Sequence, residues 1–140
     1  MHYRKDIRAT VKAALAADTQ FDAYTVRSAW AQPDDDSEYP IIGVATPRET
    51  KGLSDHSSSE RVTNLTVAAI MRGGDDIEDQ LDDLSGVLEQ LVIDAVGTQE
   101  IECDLRETDI NLDGSAGGRL GMLTMTFAVT QWLAEPFTAE

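Results

Sequence analysis

Between Tyr3 and Leu15 the apolar residues Tyr3, Ile7, Val11 and Leu15 recur every four positions, helped by Ala14, with Arg4, Lys5, Arg8 and Lys12 opposite. That spacing predicts an amphipathic helix. The pattern then changes period. Tyr24, Val26 and Trp30 alternate with Thr25 and Arg27, which predicts a strand ended by Pro33 and Asp34-Asp35-Asp36. Tyr39 to Ala45 is a short β-branched run with Pro40 near its start, where a strand tolerates the missing donor. From Pro47 to Glu60 serine and charge dominate, and Leu53 is the only sizeable apolar side chain. So little apolar surface cannot offset the ordering entropy of the segment. A long mobile loop is expected, to be ordered by neighbouring molecules.

From Arg61 to Met71 the chain turns apolar again. Leu65, Val67, Ala69 and Met71 share one face and Thr66, Ala68 and Ile70 the other, which suits a central strand. Gly73-Gly74 breaks it. Asp75 followed by Glu78 has the form of a capping box, and Ile77, Leu81, Leu84, Leu88, Leu91 and Ala95 make one helical stripe that Gly97 ends. Next, Ile101, Cys103 and Leu105 alternate with Glu102, Asp104 and Arg106 before the apolar parity switches to Ile110 and Leu112. Such a switch predicts a β-bulge near Glu107. A flexible Asp113 to Gly118 turn leads into a last strand, Leu120 to Leu133, with Leu123, Met125, Phe127, Val129 and Leu133 opposite a row of threonines. The element order predicts an α+β domain, a mostly antiparallel five-stranded sheet with two helices packed on one face. One domain over 1–140 is expected, with the mobile loop 47–60 and a flexible tail 135–140.

Composition narrows the function. Apolar residues at 41% and charged residues at 26% are globular values. A net charge of −15 repels phosphates and anionic lipid, which argues against nucleic-acid binding by a basic groove. The stretch Leu120 to Ala134 is too short and too interrupted by threonine to span a bilayer as a helix, so no membrane partner is expected. No apolar signal core follows Met1-His2-Tyr3-Arg4-Lys5-Asp6, and synthesis in the cytoplasm is expected.

Candidate chemistry is sparse. Asp109, Asn111, Asp113 and Gly114 match the first half of a calcium loop, but Leu120 stands where a bidentate glutamate closes the shell. Ile110 and Leu112 between them read better as the inner face of a strand. His2 near the terminus and His56 in the serine-rich segment leave no base with a rigid orienting partner. Cys103 falls on the apolar side of its strand, where a thiol acts as a small core hydrophobe. The glycine pairs lack phosphate-loop spacing. No catalytic residue, metal or cofactor is expected, and the chain reads as a non-enzyme. Surface remains. The interface candidates are Trp30, Trp132 and Phe137, the aspartates Asp34, Asp35 and Asp36, and Arg48, Lys51, Leu53, Asp55 and His56 from the polar segment.

The opening helix Arg4 to Leu15, the strand Tyr39-Pro40-Ile41-Ile42-Gly43-Val44, the polar stretch Pro47 to Glu60 and the apolar strand Asn64 to Met71 occur in a familiar order. With the acidic-headed helix from Asp75 and the Asp113 to Gly118 turn before a threonine-laced last strand, the chain resembles the tail terminator family of long-tailed bacteriophages. The resemblance implies a virion tail protein that forms a six-membered ring on the tail tube, stops tube polymerisation and presents a docking surface to the head connector. Its implied partners are copies of itself, the tail tube protein and the head–tail connector protein, with genomic DNA only passing through the lumen. Another neck or tail-completion protein is the alternative reading, and a calcium-binding module a more distant one.

Overall fold

Tyr3, Ile7, Val11 and Leu15 are buried along one side of a helix, α1 (Tyr3–Ala17), in the computed structural model, which describes residues 2–28, 39–53, 55–113 and 119–137. His2 caps this helix, its Nδ1 accepting from the amide of Arg4 at 3.1 Å. A single 3-10 turn, Thr19–Phe21, follows, capped by the carboxylate of Asp18. The strands are β1 (Thr25–Arg27), β2 (Ile41–Leu53), β3 (Ser58–Gly73), β4 (Glu102–Asp113) and β5 (Arg119–Ala134), and a second helix, α2 (Ile77–Val96), lies between β3 and β4.

One five-stranded sheet results, in the order β1-β2-β3-β5-β4, with β3 in the middle as its two-sided apolar pattern predicts. All neighbouring strands are antiparallel except β1, which pairs parallel to Ile41–Gly43. The α+β class and the two helices are as expected. The inner face carries Ile42 and Val44, Leu65 and Val67, Leu123, Met125, Phe127 and Val129, all fully buried in one cluster with both helices. Its other face carries the threonines Thr66, Thr124, Thr126 and Thr130.

The polar segment departs from expectation. Residues 47–60 do not form a long loop: β2 runs on to Leu53 and β3 begins at Ser58. The register slips between Ala45 and Arg48, so Pro47 sits in a bulge, the place where a residue without an N–H costs a ladder least. Backbone pairing to β3, itself paired along its whole length to β5, orders residues with little of their own to bury. The tail is also held as far as it is described. The Glu135 amide donates to the Ser57 carbonyl at 2.8 Å, and Phe137 packs edge-on to Tyr3 with ring centroids 5.1 Å apart.

Two smaller differences concern α2. Asp76 rather than Asp75 occupies the N-cap and makes no side-chain cap bond; its carboxylate accepts from Gln80 Nε2 at 3.0 Å instead. The buried stripe is Ile77, Leu81, Leu88, Val92 and Val96, with Leu84 and Leu91 only partly buried. Alternating steps of four and three follow a 3.5-residue period, and a straight helix of 3.6 drifts off it toward later positions. The bulge expected near Glu107 is present, between Leu105 and Glu107.

Candidate functional site

Strands of sixteen residues run about 50 Å, whereas the twenty residues of α2 span about 30 Å, so the helix layer cannot cover the whole sheet. The β2–β3 hairpin, backed by the end of β5, forms an arm whose tip carries two of the largest exposed apolar side chains. Leu53 is 83% exposed and Trp132 is 46% exposed. They point to opposite sides. Leu53 is in register with Ser59 and Leu133 on the helix side, while Trp132 is in register with Glu60 and Gly52 on the helix-free side. Exposed side chains of this size at the end of an ordered arm are ready for a partner to cover.

The arm is stiffened where it meets α1. Arg61 Nη1 lies 3.2 Å from Glu49, and Arg61 Nη2 lies 3.3 Å from Glu135. Lys51 closes on Glu135 at 2.6 Å, Arg4 reaches Glu49 at 3.5 Å, and the Tyr3 hydroxyl donates to Glu49. The Arg61 guanidinium also lies over the rings of Tyr3 and Phe137, 5.9 and 5.5 Å from their centroids. Hydrogen bonds from Lys51 and Ser59 hold the Glu135 carboxyl down at about 2. Burial pushes the Tyr3 hydroxyl up, with the Glu49 carboxylate adding to it. These groups join helix, hairpin and tail into one unit.

The sequence candidates separate accordingly. Arg48 is exposed on the helix-free side of β2, and no carboxylate among the described residues pairs with it. Lys51 is committed to Glu135. Asp55 organises the hairpin turn, accepting from the amide of Ser57 at 2.8 Å and from the hydroxyls of Ser57 and Ser58 at 3.1 Å; those bonds lower its carboxyl. His56 stands exposed in the same turn. Phe137 packs its ring against Tyr3 and His2 and so pins the tail onto α1. Trp30, Asp34, Asp35 and Asp36 lie outside the described residues, as does the turn 114–118. Asp109, Asn111 and Asp113 stand on extended backbone, spaced by about 7 Å at each second residue, rather than in a loop that folds around an ion.

One feature emerges only with the register. β4 carries five carboxylates, Glu102, Asp104, Glu107, Asp109 and Asp113, and all pair with helix-free-side positions of β5. The bulge at Arg106 keeps the two halves of the strand in phase, so the acids form one column. Glu107 and Asp109 crowd each other, and the hydrogen bond they share raises the Glu107 carboxyl. Among the described residues no group of three acidic, histidine or cysteine side chains is placed to hold a metal. A shallow cleft of about 320 Å³ near the foot of the sheet is lined mainly by apolar side chains, Ile70, Leu112, Leu120 and Met122, with Tyr39, Asn111 and the carboxylate of Asp113 beside them.

No family model matches the chain, and no curated protein matches it. The fold is similar to a solved chain from the virion of a native gene transfer agent particle. That likeness has a TM-score of 0.54 and 15% identity and covers 88% of this chain and 93% of the other. It shows the fold, shared over nearly the full length of both chains.

Proposed function

We propose that this chain is a structural subunit of a phage-like virion and, within it, a tail terminator: a subunit that closes into a six-membered ring on the tail tube, stops its growth and offers the outer face to the head connector. The observation that carries the reading is the near full-length fold shared with a chain of a gene transfer agent virion. The arm supports it. An ordered hairpin with Leu53 and Trp132 exposed near its tip is suited to reaching a neighbouring subunit or the tube rim. A ring of identical subunits needs heterologous contacts, two different surfaces on each copy, and the sheet supplies two different edges.

The role is architectural rather than catalytic. His2 is committed to capping α1, and burial pushes the Cys103 thiol up to about 11, away from nucleophilic use. Among the described residues no helix is long and apolar enough to cross a membrane. The reading places the protein in the virion, made in the host cytoplasm, with the tail tube protein and connector as partners and DNA passing through an acidic lumen. The test is tube growth: tail tube protein polymerised in vitro with increasing amounts of this chain should give shorter tubes of defined end structure. Unchanged tube lengths at a molar excess would overturn the terminator role.

A further inference from the structure

We infer that the two long edges of the sheet are complementary and receive a second copy of this chain, β4 of one subunit running antiparallel beside the uncovered part of β2 of the next. The inference rests on the ring reading above and specifies the surfaces that close the ring.

Among the described residues both edges lack a partner strand. β1 pairs only with Ile41–Gly43, so among the described residues Val44–Leu53 is laddered on the β3 side alone. Among the described residues β4 is laddered only to β5. Unpaired strand edges present backbone donors and acceptors that a further strand can satisfy. Direction fits as well. β2 and β5 run the same way and β4 opposes them, so continuing the sheet from β4 into the next copy's β2 makes an antiparallel pair.

The two edges overlap in level, and their shapes agree. Followed across the sheet, Ala45 is level with Glu107, Arg48 with Asp104, and Thr50 with Glu102. The uncovered part of β2 thus overlaps β4 from Val44, level with Thr108, to Thr50, level with Glu102; residues 109–113 lie level with the part of β2 that β1 covers and beyond it. Each edge has one bulge, at 46–47 on β2 and at Arg106 on β4, and both flank the row in which Leu65 faces Phe127. Edges that bend at one level can meet without a gap.

Charge selects the partner. Within the overlap β4 presents Glu102, Asp104 and Glu107 on the helix-free side, three carboxylates against the single cation Arg106, which lies 3.7 Å from Asp104. On that side the uncovered part of β2 presents Arg48 and no carboxylate, since Glu49 and Lys51 face the helices and are engaged there. Two β4 edges would repel each other, whereas β4 against β2 attracts. A head-to-tail junction is therefore favoured over a symmetric dimer, the condition for a ring.

The test is a charge-swap cycle using Arg48→Glu, Asp104→Arg and the double variant beside the parent, each measured by sedimentation alone and with tail tubes. Both positions are exposed, so melting temperatures should match the parent and exclude misfolding. Each single variant should weaken self-association at least about tenfold, and the double variant should recover most of it. Single variants that assemble like the parent overturn the edge pairing and leave the ring reading standing. Swap-dependent association without capped tubes supports the edge pairing and overturns the terminator reading, and a parent that stays monomeric with and without tubes overturns both.

Discussion

Arg61 on β3 holds Glu49 on β2 at 3.2 Å and Glu135 beyond β5 at 3.3 Å, so one guanidinium ties the hairpin arm to the tail. The Arg61 and Glu49 side chains are only 13% and 12% exposed. Replacing Arg61 by methionine keeps the stem but leaves carboxylates poorly paired in a confined site. The expected loss is about 2–4 kcal/mol, seen as an earlier urea midpoint, with the exposed Arg48→Met change within about 0.5 kcal/mol of the parent.

Two glycines should respond to alanine with opposite signs. A Cβ on Gly121 would lie 2.7 Å from both Ile77 Cδ1 and Leu81 Cδ1, where α2 rests on β5. Both side chains are fully buried, and Gly121→Ala should cost about 1–3 kcal/mol. Gly86 lies within α2 with nothing within 4 Å of an added Cβ. Gly86→Ala should therefore stabilise by about 0.5–1 kcal/mol. Thermal melts of the two variants check both signs.

The Cys103 thiol should be slow to react. Its inward position and the nearby Asp104 carboxylate push it from 9.0 to about 11, which lowers the thiolate fraction at pH 8 about 100-fold. Disulfide-reagent labelling should be slow in buffer and complete within minutes in strong denaturant.

The tail contact should depend on acid. The Glu135 carboxyl is lowered from 4.5 to about 2 in the folded chain, so the unfolded chain binds the proton more readily. Its contribution is full above about pH 4.5 and is lost as pH falls toward 2. Exchange at the Glu135 amide, which donates to Ser57, should be protected at pH 6 and lose protection below about pH 3 beyond the intrinsic pH effect. Glu135→Gln should remove that extra loss.

What was legible in the sequence follows from periodicity. The stripe of α1, the two-faced pattern of β3 and the parity switch after Leu105 each record burial directly, and the structure returns each of them. The extension of β2 through Pro47 to Leu53 was illegible because backbone pairing with β3 orders it, and pairing leaves no mark on composition. The Arg61 network was hidden for a related reason. Tyr3, Glu49, Arg61 and Glu135 meet only after α1, the hairpin and the tail converge. The acid column on β4 was nearer to hand, since alternation combined with the predicted bulge puts Asp104 and Glu107 on one side.

Image averaging of tail tubes incubated with this protein tests the central claim most directly. The account predicts one tube end closed by a collar of six subunits, with β-sheet density continuous from each subunit to the next. Bare tube ends with the protein left free in solution, or a collar of another symmetry, would contradict it.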